Sequence, residues 1–320
     1  MATVSSSTAV ASSPTVRPSR LRTYLELVRF SHTIFALPFA VMAALIAIRW
    51  GGDQALDWTS PVGAIRGTLG ILLCMVTART AAMAFNRLVD RTIDAANPRT
   101  ASRHLPRGDV AAGEVLLLVV LSSAAFIAST LLFLPNWLPL VLSVPVLAWL
   151  LGYSYAKRFT ALAHLWLGAA LGFAPVAAWI AVRGQTLTHD PADALPAVIL
   201  GLSVMLWVAG FDIIYACQDA AFDAAHGLQS IPARLGVPRA LRLAKWLHVA
   251  TIVLLAALPL AVPQLGWIYW IALAAIVALL VWEHAIVKAD DLSRVNQAFF
   301  SANALIGLVL LAAIAADLWW

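Results

Sequence analysis

Nine runs of apolar residues dominate the chain, at 32–50, 63–85, 111–134, 137–156, 161–182, 194–216, 240–262, 266–287 and 297–318. Each is long enough to cross about 30 Å of hydrocarbon as a helix rising about 1.5 Å per residue. Inside lipid a backbone must satisfy its own hydrogen bonds, so a helix is the form such a run takes. The runs predict an all-α integral membrane protein, a bundle of nine transmembrane helices. Composition agrees: 62 % of the 320 residues are hydrophobic and only 12 % are charged. Soluble domains carry about 25 % charged residues. A cytosolic globular enzyme, a disordered chain and a basic-patch nucleic-acid binder are excluded on this ground. The two cysteines, Cys74 and Cys217, make neither a disulfide framework nor a zinc set.

Residues 1–23 read as a disordered cytoplasmic tail, followed by one membrane domain over 24–320 that opens with a short amphipathic helix at about 24–30. Pro38, Pro145 and Pro175 fall inside apolar runs and predict kinks. Charge placement sets the orientation. Seventeen of the 21 Lys and Arg lie in the tail or after spans 2, 4, 6 and 8. Arg49, Arg66 and Arg183 lie on the other side, and Arg79 lies within span 2. The positive-inside rule makes the crowded side cytoplasmic. That predicts a multi-pass protein of the cell inner (plasma) membrane with its amino terminus inside. Trp58, Trp137, Trp267, Trp270, Trp319 and Trp320 then mark the outer interface.

Two acidic constellations end on the cytoplasmic side. After span 2 runs Asn86-Arg87-Leu88-Val89-Asp90-Arg91-Thr92-Ile93-Asp94. The four-residue spacing puts Asn86, Asp90 and Asp94 on one helix face. After span 6, Asp219 and Asp223 repeat the spacing, and Asp212 lies on the same stripe, deeper in the membrane. No basic residue stands between Asp212 and Asp223. Unpaired carboxylates near lipid call for a cation or a polar cavity. Asp90, Asp94, Ala95 and Ala96 recur as Asp219, Asp223, Ala224 and Ala225, shifted by 129 residues, which predicts a duplicated site.

Two facing acidic clusters suit a hard divalent cation. Magnesium uses one or two carboxylates, waters and substrate phosphates. The loop arginines and Lys157 suit phosphate oxygens. The chemistry this predicts is departure of a diphosphate, leaving a cation in an apolar chamber.

These residues resemble the UbiA superfamily of intramembrane prenyltransferases. The matching motifs are Arg79 seven before Asn86, then Asn86, Asp90 and Asp94; Arg99-Thr100-x-x-Arg103; Tyr153-x-x-x-Lys157; and Asp219-x-x-x-Asp223. The resemblance implies a helical bundle around a central cavity that opens laterally to lipid. It implies Mg2+ at Asn86, Asp90, Asp94, Asp219 and Asp223, with the four aspartates as the catalytic set. Lys157, Arg99 and Arg103 would contact the diphosphate, Tyr153 would line that site, and Arg79 would contact either substrate. Val28 through Pro38, the segment Tyr215-Ala216-Cys217-Gln218-Asp219 and the segment Ser230-Ile231-Pro232-Ala233-Arg234 are similar to the prokaryotic 4-hydroxybenzoate polyprenyltransferase-like branch. The implied partners are a polyprenyl diphosphate, an aromatic hydroxy acid and the lipid bilayer, with no nucleic acid. The implied acceptor is 4-hydroxybenzoate, with a dihydroxynaphthoate of menaquinone synthesis as the alternative. Residues 29–35 depart from the Arg-x-x-Lys/Arg-Pro-x-Gly pattern of the hydroxybenzoate enzymes, and His104 replaces a usual proline. The rival class is a cation-coupled transporter, whose acidic residues would sit at the bilayer midplane. A CDP-alcohol phosphotransferase would need an Asp-Gly and an Ala-Arg that neither constellation contains.

His32 is a candidate for the acceptor pocket or for a hydrogen-bonded interfacial histidine. Asp212 stays open as a third ligand, a partner of Arg79 or a structural acid. Glu283 and His284 read as an interfacial polar pair, and Cys217 as a packing residue.

Overall fold

The computed structural model describes residues 19–28, 36–50, 54 and 56–320. The tail up to residue 18 and His32 lie outside these residues. No strand occurs among the described residues. The helices in chain order are α1 (Arg20–Leu27), α2 (Leu37–Arg49), α3 (Pro61–Val89), α4 (Arg91–Ala96), α5 (Ala112–Thr130), α6 (Leu138–Ala156) and α7 (Ala163–Leu187). They continue as α8 (Leu195–Ala216), α9 (Ala220–Ala225), α10 (Ile231–Leu235), α11 (Val237–Ala261), α12 (Trp267–Ile286) and α13 (Val295–Trp319).

Over its described residues every apolar run lies on a helix, and the ends differ by a few residues. Among the described residues seven helices are long and apolar enough to cross a membrane. α2 and the described apolar part of α13, Asn303–Trp319, are shorter. The amphipathic helix starts at Arg20 rather than at 24, so residues 20–23 are helical, not part of a disordered tail. Ser19 sets that start: its hydroxyl accepts the Arg22 N–H at 3.3 Å and satisfies one first-turn donor. Pro38 does not interrupt a helix. It stands in the first turn of α2, where its missing N–H costs nothing. Pro145 and Pro175 are inside α6 and α7 as expected, yet the non-helical residue of α7 is Arg183 (φ −117°, ψ 16°).

The span containing α8 forms the centre of the bundle. In it 67 % of the most apolar window is buried, against 11 % in α6. Lipid tails are as apolar as leucine, so helices here gain by close contact rather than by leaving water. The α7–α8 seam shows this. A Cβ added at Gly172 would stand 2.5 Å from the Gly201 carbonyl oxygen, and one at Gly201 would stand 2.7 Å from that of Gly172. The two backbones touch, and any side chain there would force them apart.

The bundle buries charged groups as a pair near the end of α7. Arg183 and Asp193 form a buried ion pair, with Nε to Oδ2 at 2.7 Å and Nη2 to Oδ1 at 2.6 Å. Trp179 Nε1 donates to the same Oδ2 at 3.0 Å. Two expectations need correction. Trp58 is buried with its ring against Gly67 and is not an outer-interface residue, whereas Trp137, Trp267, Trp270, Trp319 and Trp320 are exposed. Glu283 is fully buried, not interfacial: its Oε1 accepts from Asn303 Nδ2 at 3.3 Å, and His284 Nε2 lies 3.0 Å from His248 Nδ1. Cys217 packs, as expected, 3 % exposed with its thiol on the Ile213 carbonyl at 3.3 Å.

Candidate active site

Both acidic constellations break their helix at the first aspartate. α3 ends at Val89, and Asp90 (φ −88°, ψ 4°) turns the chain into α4. In the second, a 3-10 turn at Cys217–Asp219 follows α8, and Asp219 (φ −103°, ψ 3°) turns it into α9. A straight four-residue stripe is therefore not what forms. The bend keeps Asn86, Asp90 and Asp94 on the wall of one polar cavity of about 180 Å3, and Asp219 and Asp223 of the second motif line the same cavity. Tyr153, Lys157, Arg99 and Arg103 line the same cavity. Arg79 does not. It lines an adjoining, largely apolar cavity of about 170 Å3, which shares Asn86 and Tyr153 with the polar one. A second apolar cavity of about 240 Å3 follows, sharing Cys74, Met75, Phe126, Val146 and Phe173 with the first.

Each of the aspartates 90, 94 and 219 has a cationic partner. Asp90, 2 % exposed, has Lys157 Nζ 2.8 Å from Oδ2 and Arg158 Nη2 3.3 Å from Oδ1. Asn86 Nδ2 donates to Oδ2 at 3.1 Å. Asp94 receives both its bonds from Arg103 Nη1, at 2.7 and 2.8 Å. Asp219 is the expected unpaired acid, and here the expectation fails. Arg99 bridges 120 residues to it, with Nε to Oδ1 at 2.8 Å and Nη2 on Oδ2. Asn97 Nδ2 adds a bond to Oδ1 at 3.1 Å, and Tyr215 accepts from Arg99 Nη1 at 2.9 Å under the guanidinium. Partial burial works against the Arg99 charge, but its bonds to Asp219 outweigh that and hold the guanidinium more firmly protonated than usual. Asp212 pairs with His164, not with Arg79.

Sequence reasoning passed over Asn97, Arg158, His164 and Tyr215 as site residues. Two carried a signal. Asn97 continues the acidic face three residues after Asp94, and Tyr215 stands four before Asp219. His164 carried none, because its partner lies 48 residues away on another helix.

Among the described residues no three His, Cys, Asp or Glu side chains come close enough to hold a metal by themselves. The Asp and Asn side chains on the cavity wall nonetheless offer hard oxygens, and the imidazole of His164 on the same wall is already engaged by Asp212 and the Ile231 backbone. The oxygen set fits a cation that keeps waters and takes its remaining ligands from a diphosphate, and it does not fit zinc.

Residues 35–308 match the UbiA prenyltransferase family. The chain belongs to that family, as a multi-pass membrane protein of its helical fold. It is 33 % identical over 303 residues to a 4-hydroxybenzoate octaprenyltransferase of Nitrosomonas europaea, covering 93 % of this chain and 95 % of that one. A UbiA homologue from Aeropyrum pernix K1 superposes with a TM-score of 0.77 at 35 % identity, over 90 % of this chain and 98 % of that one. A UbiA homologue from Archaeoglobus fulgidus bound to DMAPP and Mg2+ shares the fold, with a TM-score of 0.64 at 19 % identity over 92 % of this chain and 99 % of that one.

Proposed function

We propose that the protein transfers a polyprenyl chain from polyprenyl diphosphate to 4-hydroxybenzoate in quinone biosynthesis. One observation carries the reading: a polar cavity with paired aspartates and basic side chains shares its lining with a largely apolar one. Family membership and the hydroxybenzoate relatives support it and leave the transporter reading without support. Asn86, Asp90, Asp94, Asp219 and Asp223 are the residues to hold Mg2+ beside the diphosphate. The metal, when bound, neutralises charge on the departing diphosphate. Lys157, Arg99 and Arg103 take phosphate oxygens, Arg as a fork and Lys as a point charge. Tyr153 lines the junction of the two cavities, and Arg79 faces the chain or the acceptor from the apolar side. The apolar walls exclude water from the allylic cation, so a ring carbon ortho to the phenol takes it.

All nine apolar runs cross the inner membrane in this reading, as one domain over 24–320, with the tail, both motifs and Lys157 cytoplasmic and Trp320 outside. A cysteine at Ala101 should label with an impermeant thiol reagent only in inverted or permeabilised vesicles, and one at Gln264 should label in intact cells. Labelling of Ala101 in intact cells would invert the topology.

Purified protein given geranyl diphosphate, 4-hydroxybenzoate and Mg2+ should release prenylated acid and diphosphate. EDTA should stop the reaction, Mg2+ should restore it, and Ca2+ should substitute poorly. Turnover in metal-free buffer would remove the metal assignment. The departure at residues 29–35 makes 1,4-dihydroxy-2-naphthoate the second acceptor to assay, and a strong preference for it would move the protein to menaquinone synthesis.

A further inference from the structure

Two carboxylates on the polar cavity, Asp212 and Asp223, stand outside the network of cationic pairs, and of these Asp223 belongs to the second acidic motif. Asp212 of α8 lines that cavity with its side chain 23 % exposed. It lies seven residues before Asp219, about 10 Å deeper along the helix. Among the described residues it has no Lys or Arg partner. Its Oδ2 lies 2.7 Å from Nδ1 of His164, which is 5 % exposed. The other ring nitrogen, Nε2, accepts the Ile231 backbone N–H at 3.3 Å. A nitrogen that accepts an N–H carries no proton, so the imidazole is neutral and its one proton, on Nδ1, points at Asp212. With both nitrogens engaged, the ring cannot turn without losing a bond. Asp212 is thus held by a neutral donor at one oxygen. Oδ1 has no hydrogen-bond partner among the described residues.

We propose that Asp212 is the base that takes the ring proton of the aromatic acceptor, with His164 as its positioning residue. The proposal rests on the prenyltransferase reading and adds to it the proton acceptor. Asp90, Asp94 and Asp219 already have cations on their oxygens, and these three together with Asp223 are needed at the diphosphate. Asp212 has neither commitment and sits toward the depth of Tyr153, where the polar and apolar cavities meet.

The step balances. The acceptor ring carbon bonds to C1 of the prenyl chain, and the C1–O bond breaks with its electron pair leaving on the diphosphate. The ring then carries a positive charge and a hydrogen on the newly bonded carbon. Transfer of that proton to Asp212 Oδ1 returns the C–H electron pair to the ring and restores aromaticity. The carboxylic acid gives its proton to water after the product leaves.

The test uses the full chain in detergent with geranyl diphosphate, Mg2+ and either ordinary or ring-deuterated 4-hydroxybenzoate. Asp212→Asn should lower kcat by about 10²–10⁴-fold. It should raise the isotope effect from near unity to a clearly primary value, because proton removal becomes the slow step. Binding of an unreactive thiolo-diphosphate analogue with Mg2+ should be unchanged, which also shows that the variant is folded. His164→Gln, which keeps a side-chain donor, should lose about tenfold in kcat and His164→Ala more, both with the raised isotope effect and unchanged analogue binding. The assignment is overturned if Asp212→Asn turns over normally, lacks an isotope effect, or loses analogue binding. Wild-type protein that consumes no prenyl diphosphate would instead bring down the prenyltransferase reading itself.

Discussion

The two aspartate motifs share spacing, helix break and backbone conformation, yet they draw their counter-charges from different places. The first motif is served from its own surroundings: Arg103 lies nine residues beyond Asp94, and Lys157 and Arg158 at the end of α6 cover Asp90. Among the described residues the second motif has no ion pair with a cation of its own segment. Arg99 and Asn97, both from the loop that follows the first motif, supply the partners of Asp219. Burial follows the same division: Asp90 and Asp94 are buried, and Asp219 and Asp223 are partly open. The two motifs thus share their acidic spacing, while one loop supplies cations to both. They are equivalent as oxygen donors and unequal in their dependence on residues 97–103.

That comparison can be broken at its strongest point by removing the acids. Asp90→Ala and Asp219→Ala should each lower transfer by about 10²–10⁴-fold or more while the protein still inserts. Rates measured at saturating Mg2+ decide this, and near-normal turnover in one variant alone would mean that only one motif carries the chemistry. The next effect separates the two cations of the shared loop. Arg99→Ala and Arg103→Ala should each weaken binding of an unreactive diphosphate analogue by about 10- to 100-fold, the range of a hydrogen bond to a charged group. Arg99→Ala should lose its effect in an Asp219→Ala background, whereas Arg103→Ala should keep its own. Independent effects throughout would separate the loop from the second motif. The smallest effect tests the bridge itself. Asn97→Ala removes one side-chain bond to Asp219 and should weaken analogue binding about fivefold, near 1 kcal/mol. Titration of the purified variant measures it, and a loss as large as that of Arg99→Ala would give Asn97 a role beyond support.

Helix positions were legible in the sequence because hydrocarbon leaves the backbone a single solution, and the ends missed by a few residues lie where caps rather than hydropathy decide. Ser19 is one such case: a serine before a polar turn has no hydropathy signature. The acidic residues were legible because four-residue spacing is a local rule. Their partners were not. Arg99 meets Asp219 across 120 residues, and no local periodicity encodes that distance. The absence of a basic neighbour between Asp212 and Asp223 therefore said nothing about pairing in three dimensions. Glu283 and Trp58 were misplaced for a related reason. Position along a span suggests depth in the membrane, but it does not tell which face of the helix meets another helix. For Glu283 the answer is Asn303 on α13; Trp58 stands in the turn before α3, and its ring packs on the bare backbone of Gly67.

The α7–α8 seam has a consequence for how exactness is kept in a soft medium. His164 stands one turn from Gly168, whose Cβ position would lie 2.2 Å from the Met205 carbonyl oxygen, and Asp212 stands two turns beyond Met205. The distance between the imidazole and the carboxylate is thus gauged by main chain against main chain, a caliper with no adjustable jaw. Packed side chains can still hop between rotamers; a backbone seam has no rotamers to exchange. Gly172→Ala or Gly201→Ala would open that caliper from within the membrane, and the spacing of imidazole and carboxylate would register the change.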